Sequence, residues 1–101
     1  MPLTCIITST KSSQVSWFID SSEDNAVLAK NISAWTNLRP GLVSIEVDTS
    51  DENTRTLTIV FDTVDNYIDW RTSRLNLPEF RIRAAYNAAN GITSIINESI
   101  T

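Results

Sequence analysis

The sequence predicts an α+β fold: one four-stranded antiparallel sheet with helices on a single face. Three observations carry this. Four segments alternate apolar and polar residues at the strand period of two, and stretches with apolar spacings of three to four separate them. The two glycines, Gly41 and Gly91, each stand where a helix would stop. A length of 101 residues suits one domain, spanning 1–101.

Leu3, Cys5 and Ile7 alternate with Thr4, Ile6 and Thr8, which reads as a first strand followed by a turn at Lys11-Ser12-Ser13. Val15, Trp17 and Ile19 alternate again, as a short second strand or an extension of the first. Ser21 and Ser22 offer capping hydroxyls, and Glu23 and Asp24 suit the positive end of a helix over about 23–37. Leu28, Ile32 and Trp35 form its apolar stripe, and Arg39-Pro40-Gly41 ends it.

A hairpin follows. Val43, Ile45 and Val47 line one face of its first strand, and Leu57, Ile59 and Phe61 line the partner, across a polar loop at 49–53. Thr63 caps the next helix, in which Val64, Ile68 and Leu75 share one side, Tyr67 and Arg71 flank them, and Trp70 lies off the stripe. Pro78 suits the first turn of a further helix carrying Phe80, Ala84 and Ala88 at spacing four. Ile92, Ser94, Ile96, Glu98 and Ile100 alternate with Thr93, Ile95 and Asn97 as the last strand.

A doubled βαβ order with a central hairpin specifies the ferredoxin-like βαββαβ arrangement, with right-handed crossovers placing the helices on one side. The other side of the sheet is half apolar: Ile6, Leu42, Val60 and Ile95 stand among threonines and Ser44. An open face of that kind needs a cover. Sheet-on-sheet pairing about a two-fold axis is the simplest one, so a homodimer is expected with Ile6, Val60 and Ile95 at its seam.

The composition excludes more chemistry than it suggests. The net charge is −4, there is no histidine, and Cys5 is the only cysteine. No metal, nucleotide or other cofactor is therefore expected, and no Gly-rich phosphate loop or Ser-His pair is present. The acidic balance argues against nucleic acid. No segment has the roughly 20 apolar residues of a membrane span, nor does the start resemble a secretion signal, so a cytoplasmic protein is expected. The charge is unevenly placed: residues 71–83 carry +3 through Arg71, Arg74, Arg81 and Arg83 against Glu79, and the remainder carries −7. That cluster either holds a small anion or pairs with Asp62, Asp65 and Asp69.

The stretch Thr58-Ile59-Val60-Phe61-Asp62-Thr63-Val64-Asp65-Asn66-Tyr67-Ile68-Asp69-Trp70-Arg71-Thr72-Ser73 resembles the strand-to-helix passage of the dimeric α/β-barrel superfamily, which includes small antibiotic-biosynthesis-type monooxygenases. The resemblance implies sheet-paired dimers and a pocket between helices and sheet. Some members oxidise aromatic substrates without metal or flavin, using Trp, Tyr, Asn and Arg to hold a reactive anion. The matching residue types make Trp35, Tyr67, Arg71 and Tyr86 the ligand-pocket candidates, although none aligns with a catalytic motif. Haem-degrading members ligate iron through histidine, which this chain lacks. Two readings follow. One is a small homodimeric ferredoxin-like protein without a catalytic signature. The other is a cofactor-free monooxygenase-like enzyme, or a protein binding a small organic ligand in an aromatic pocket.

Overall fold

The computed structural model describes residues 1–18 and 23–100, without the side chains of residues 23–26 and 29. The expected helix cap at Ser21 and Ser22, and Ile19, lie outside the described residues. The elements are β1 (Leu3–Thr10), α1 (Glu23–Asn37), β2 (Leu42–Asp51), β3 (Thr54–Phe61), α2 (Val64–Leu75), α3 (Pro78–Ala89) and β4 (Thr93–Ile100). The strands form an antiparallel sheet in the order β2-β3-β1-β4. All three described helices lie over the face that carries Leu3, Cys5, Ile59 and Phe61, which gives the ferredoxin-like α+β architecture.

The register sorts the helix-facing residues into rows across the sheet. Leu42, Phe61, Leu3 and Ile100 share the first row, and Val47, Leu57, Ile7 and Ile96 share a later one. Beyond it lie Arg55, Ser9 and Ser94, with the two serine hydroxyls 2.8 Å apart. Leu42 thus sits on the helix side, packed against the core, rather than on the open face where the alternation placed it. The cause is a register shift between Leu42 and Ser44: Val43 is the extra residue, it is 62% exposed, and the phase of the strand changes there.

Among the described residues after β1, 11–18 form no strand. Val15 N donates to Ser12 O in a turn, and Trp17 and Phe18 are both buried although adjacent, which an alternating strand would not allow. The Trp17 indole N–H donates to Glu52 O at 2.9 Å and ties this segment to the tip of the hairpin. That hairpin is tighter than its polar sequence suggests. β2 runs on to Asp51 and pairs with Thr54, because the Asp48 and Asp51 carboxylates accept from Ser50 N and Asn53 N and satisfy the turn locally.

Helix α2 begins as expected, with the Thr63 hydroxyl accepting from Asn66 N at 3.2 Å. Its buried face differs from the aliphatic stripe. Tyr67 and Trp70 are each 2% exposed, whereas Ile68 and Leu75 are more than half exposed. The rotation follows the aromatic cluster. Phe61 lies 6.1 Å from Tyr67 and 5.6 Å from Trp70, ring to ring, and three aromatics bury more area than the aliphatic stripe would. The Tyr67 hydroxyl donates to Cys5 Sγ at 3.5 Å, and burial holds both groups in their protonated forms.

Gly41 closes α1 with φ +80°, and its carbonyl accepts from Asp62 N at 2.9 Å. A Cβ there would run into the side chains of Asn66 and Asp62. Gly41→Ala combines a left-handed backbone with that clash and is expected to cost about 1–3 kcal/mol. Gly91→Ala has the same sign of φ but open space around it, so it should cost less. Urea denaturation of the two variants checks the order.

Candidate functional site

The core is filled at one end and hollow at the other. Under the first sheet row, Tyr67 and Trp70 pack against Leu3, Cys5, Ile59 and Phe61. Further along, α3 approaches the sheet with Ala84 and Ala88, side chains too small to fill the interval, and no residue of α3 is buried. The result is a cavity of about 490 Å³ between the sheet, α1 and α3. That volume lies within the range of small-molecule sites. Val47 and Ile96 line it and remain 61% and 46% exposed, so it is open to solvent.

The cavity is amphipathic by construction. Its floor is the apolar row Val47, Leu57, Ile7 and Ile96, followed by the polar row Arg55, Ser9 and Ser94. From the helices come Trp70 and Arg74 on α2, Ile32 and Thr36 on α1, and Phe80, Arg83 and Asn87 on α3. Thr36 is 4% exposed; its hydroxyl donates to Ile32 O at 3.0 Å and accepts from the Trp70 indole at 3.4 Å. Trp70 is thereby held as a fixed wall.

Among the described residues, no carboxylate lines the cavity, although Arg55, Arg74 and Arg83 all do. The Arg74 guanidinium lies 5.1 Å from the Trp70 ring and 4.6 Å from that of Phe80, stacked rather than ion-paired. Its Nε is buried without a hydrogen-bond partner. Burial, and then the Arg83 charge, pull the Arg74 pKa down to about 10. Burial and the neighbouring Arg55 lower that of Arg83. Arg74 and Arg83 both stay cationic at neutral pH.

The ligand-pocket candidates chosen from the sequence surround this cavity without lining it. Trp35 packs against the filled end of the core, with the Arg39 guanidinium 4.8 Å above its ring. Tyr67 lies inside that core. Arg71 is exposed and pairs with Glu98 on β4 at 3.1 Å. The Tyr86 hydroxyl donates to Ser16 O at 2.6 Å, and its ring meets Phe18 edge-on at 5.6 Å. The residues that do converge are Trp70, Arg74, Phe80, Arg83 and Asn87. Two of these belong to the arginine cluster of residues 71–83, and the alanine spacing on α3 was the other available signal. The cluster itself divides: Arg71 reaches Glu98, Asp69 takes Arg39, and Arg74 and Arg83 turn inward.

No group of three or more His, Cys, Asp or Glu residues among the described residues is placed to hold a metal ion. Nor is any described helix long and apolar enough to cross a membrane.

No protein-family model matches the sequence, and no curated protein matches it significantly. The fold does have solved counterparts, several of them named as candidate antibiotic biosynthesis monooxygenases. The chain is similar to SnoaB, a cofactor-independent oxygenase from Streptomyces nogalater, with a TM-score of 0.64 and 16% identity over 99% of this chain and 92% of that one. It is also similar to a protein from Deinococcus radiodurans named as a candidate antibiotic biosynthesis monooxygenase, at TM-score 0.64, 16% identity and coverages of 98% and 91%. A third, a conserved protein from Methanosarcina mazei Go1, superposes with TM-score 0.62 at 10% identity, covering 98% and 92% of the two chains. At these identities the likeness is one of fold.

Proposed function

We propose that this protein binds a small organic molecule in the helix–sheet cavity, as a cytoplasmic homodimer paired through the open face of its sheet. The observation that carries the binding reading is the cavity: about 490 Å³, apolar-floored, with Trp70, Arg74, Arg83 and Asn87 converging on it. Its apolar floor is left to water in the unliganded chain, and a ligand that covers it gains that buried area. The dimer reading is supported by Ile6, Val60 and Ile95 on the opposite face, where Ile95 is 65% exposed. A second reading, turnover of the ligand with oxygen, is favoured by the oxygenase counterpart in the same fold.

A thermal-shift screen of small aromatic and aliphatic compounds tests the binding reading. A ligand present at 100 times its Kd should raise the melting temperature by roughly 10 °C or more. Ala84→Trp places an indole in the cavity from an exposed helix position, so it should abolish the shift while leaving the unliganded protein about as stable. Shifts that persist in Ala84→Trp would contradict the assignment. Oxygen uptake in the presence of a confirmed ligand separates turnover from binding alone.

A further inference from the structure

Resting on the cavity reading above, we infer that its ligand is an organic anion: an apolar body lying on the row Val47, Leu57, Ile7 and Ile96, with an acidic group held by Arg74 and Arg83. Half-buried arginines set side by side normally face carboxylates, since a poorly solvated charge without a counter-charge is costly. Here neither Arg74 nor Arg83 has a carboxylate partner among the described residues, and each lies in the field of another arginine. Arg74 is held by the faces of Trp70 and Phe80, which fix the plane of the guanidinium and leave its N–H edge for a ligand. Asn87 lies one turn beyond Arg83 on α3, and Ser9 and Ser94 stand in the row beside the apolar floor. Donors therefore gather at one part of the cavity while the rest is hydrocarbon. An oxyanion attached to an apolar body satisfies both parts, and a neutral hydrocarbon would leave the guanidinium groups desolvated without compensation.

The test compares 8-anilinonaphthalene-1-sulfonate with its neutral counterpart lacking the sulfonate, N-phenyl-1-naphthylamine, by fluorescence titration at low ionic strength. The wild-type protein should bind the anionic probe at least about tenfold more tightly. In Arg74→Met/Arg83→Met that preference should vanish while the neutral probe still binds, and the unliganded variant should melt no lower than wild type, because two repelling cations are gone. Equal or tighter binding of the neutral probe by wild type overturns the anion assignment and leaves the cavity site standing. Failure of both probes to bind overturns both. An anionic-probe signal that survives Ala84→Trp places the probe elsewhere and also overturns the assignment.

Discussion

Trp70→Ala should remove about 3–5 kcal/mol of folding stability. Trp70 is 2% exposed and lies 5.6 Å from the Phe61 ring and 6.0 Å from that of Tyr67. Its indole N–H donates to the buried Thr36 hydroxyl, which joins α2 to α1. Truncation deletes the transfer energy of a large aromatic and extends an existing cavity into the filled end of the core. A domain of about this size has only roughly 5–15 kcal/mol to lose. The variant should therefore sit near its unfolding midpoint at moderate urea, whereas Trp70→Phe should cost markedly less. A drop in the urea midpoint equivalent to less than about 1 kcal/mol would show that Trp70 is not a core residue. The same substitution removes one of the two rings beneath the Arg74 guanidinium, so ligand affinity should fall with stability.

Val60→Lys should convert the proposed homodimer to a monomer. Val60 faces away from the helices, between Thr4 of β1 and Ser44 of β2, and stays only half-buried in the single chain. If a second sheet covers that face, the lysine ammonium is desolvated without a partner, at a cost of several kcal/mol. On a face that remains in water the same change would be worth less than about 0.5 kcal/mol. Ile95→Lys on the edge strand β4, on the far side of β1, should act in the same direction. Light scattering at tens of micromolar (roughly the range where a modest interface is populated) reads the outcome directly. Monomeric wild-type protein would refute the dimer before any variant is made.

The parts of the fold legible in the sequence are those set by local chemistry. Thr63 as a cap, Pro78 at a helix start, and Gly41 and Gly91 beyond helix ends each follow from what one residue does to the backbone. The strands of the sheet follow from strict alternation. What failed depends on tertiary packing. Helix α2 carries two stripes of the right period, Val64-Ile68-Leu75 and Tyr67-Trp70, and only the position of Phe61 decides which turns inward. The placement of Leu42 was lost to a bulge that shifts the strand by one residue. Val15 and Trp17 alternate with polar neighbours, but the Trp17 indole is captured by the hairpin tip instead of by a strand partner.

The cavity is harder still to read from residues, because it is defined by volume that is absent. Chemical type alone selected Trp35, Tyr67, Arg71 and Tyr86, and each satisfies its polar or apolar needs outside the cavity. Arg74 and Arg83 were visible as members of a basic cluster. Whether they faced Asp62, Asp65 and Asp69 or an interior space depended on how α2 and α3 pack against the sheet.

A ligand held between α1, α3 and the sheet should be visible residue by residue. The most direct measurement is two-dimensional ¹H–¹⁵N chemical-shift mapping during titration with 8-anilinonaphthalene-1-sulfonate. The predicted result is saturable shifts at Leu57, Trp70, Arg74, Asn87 and Ile96, with Ile6, Val60 and Ile95 unmoved. Shifts confined to Ile6, Val60 and Ile95, or none at all, would contradict it.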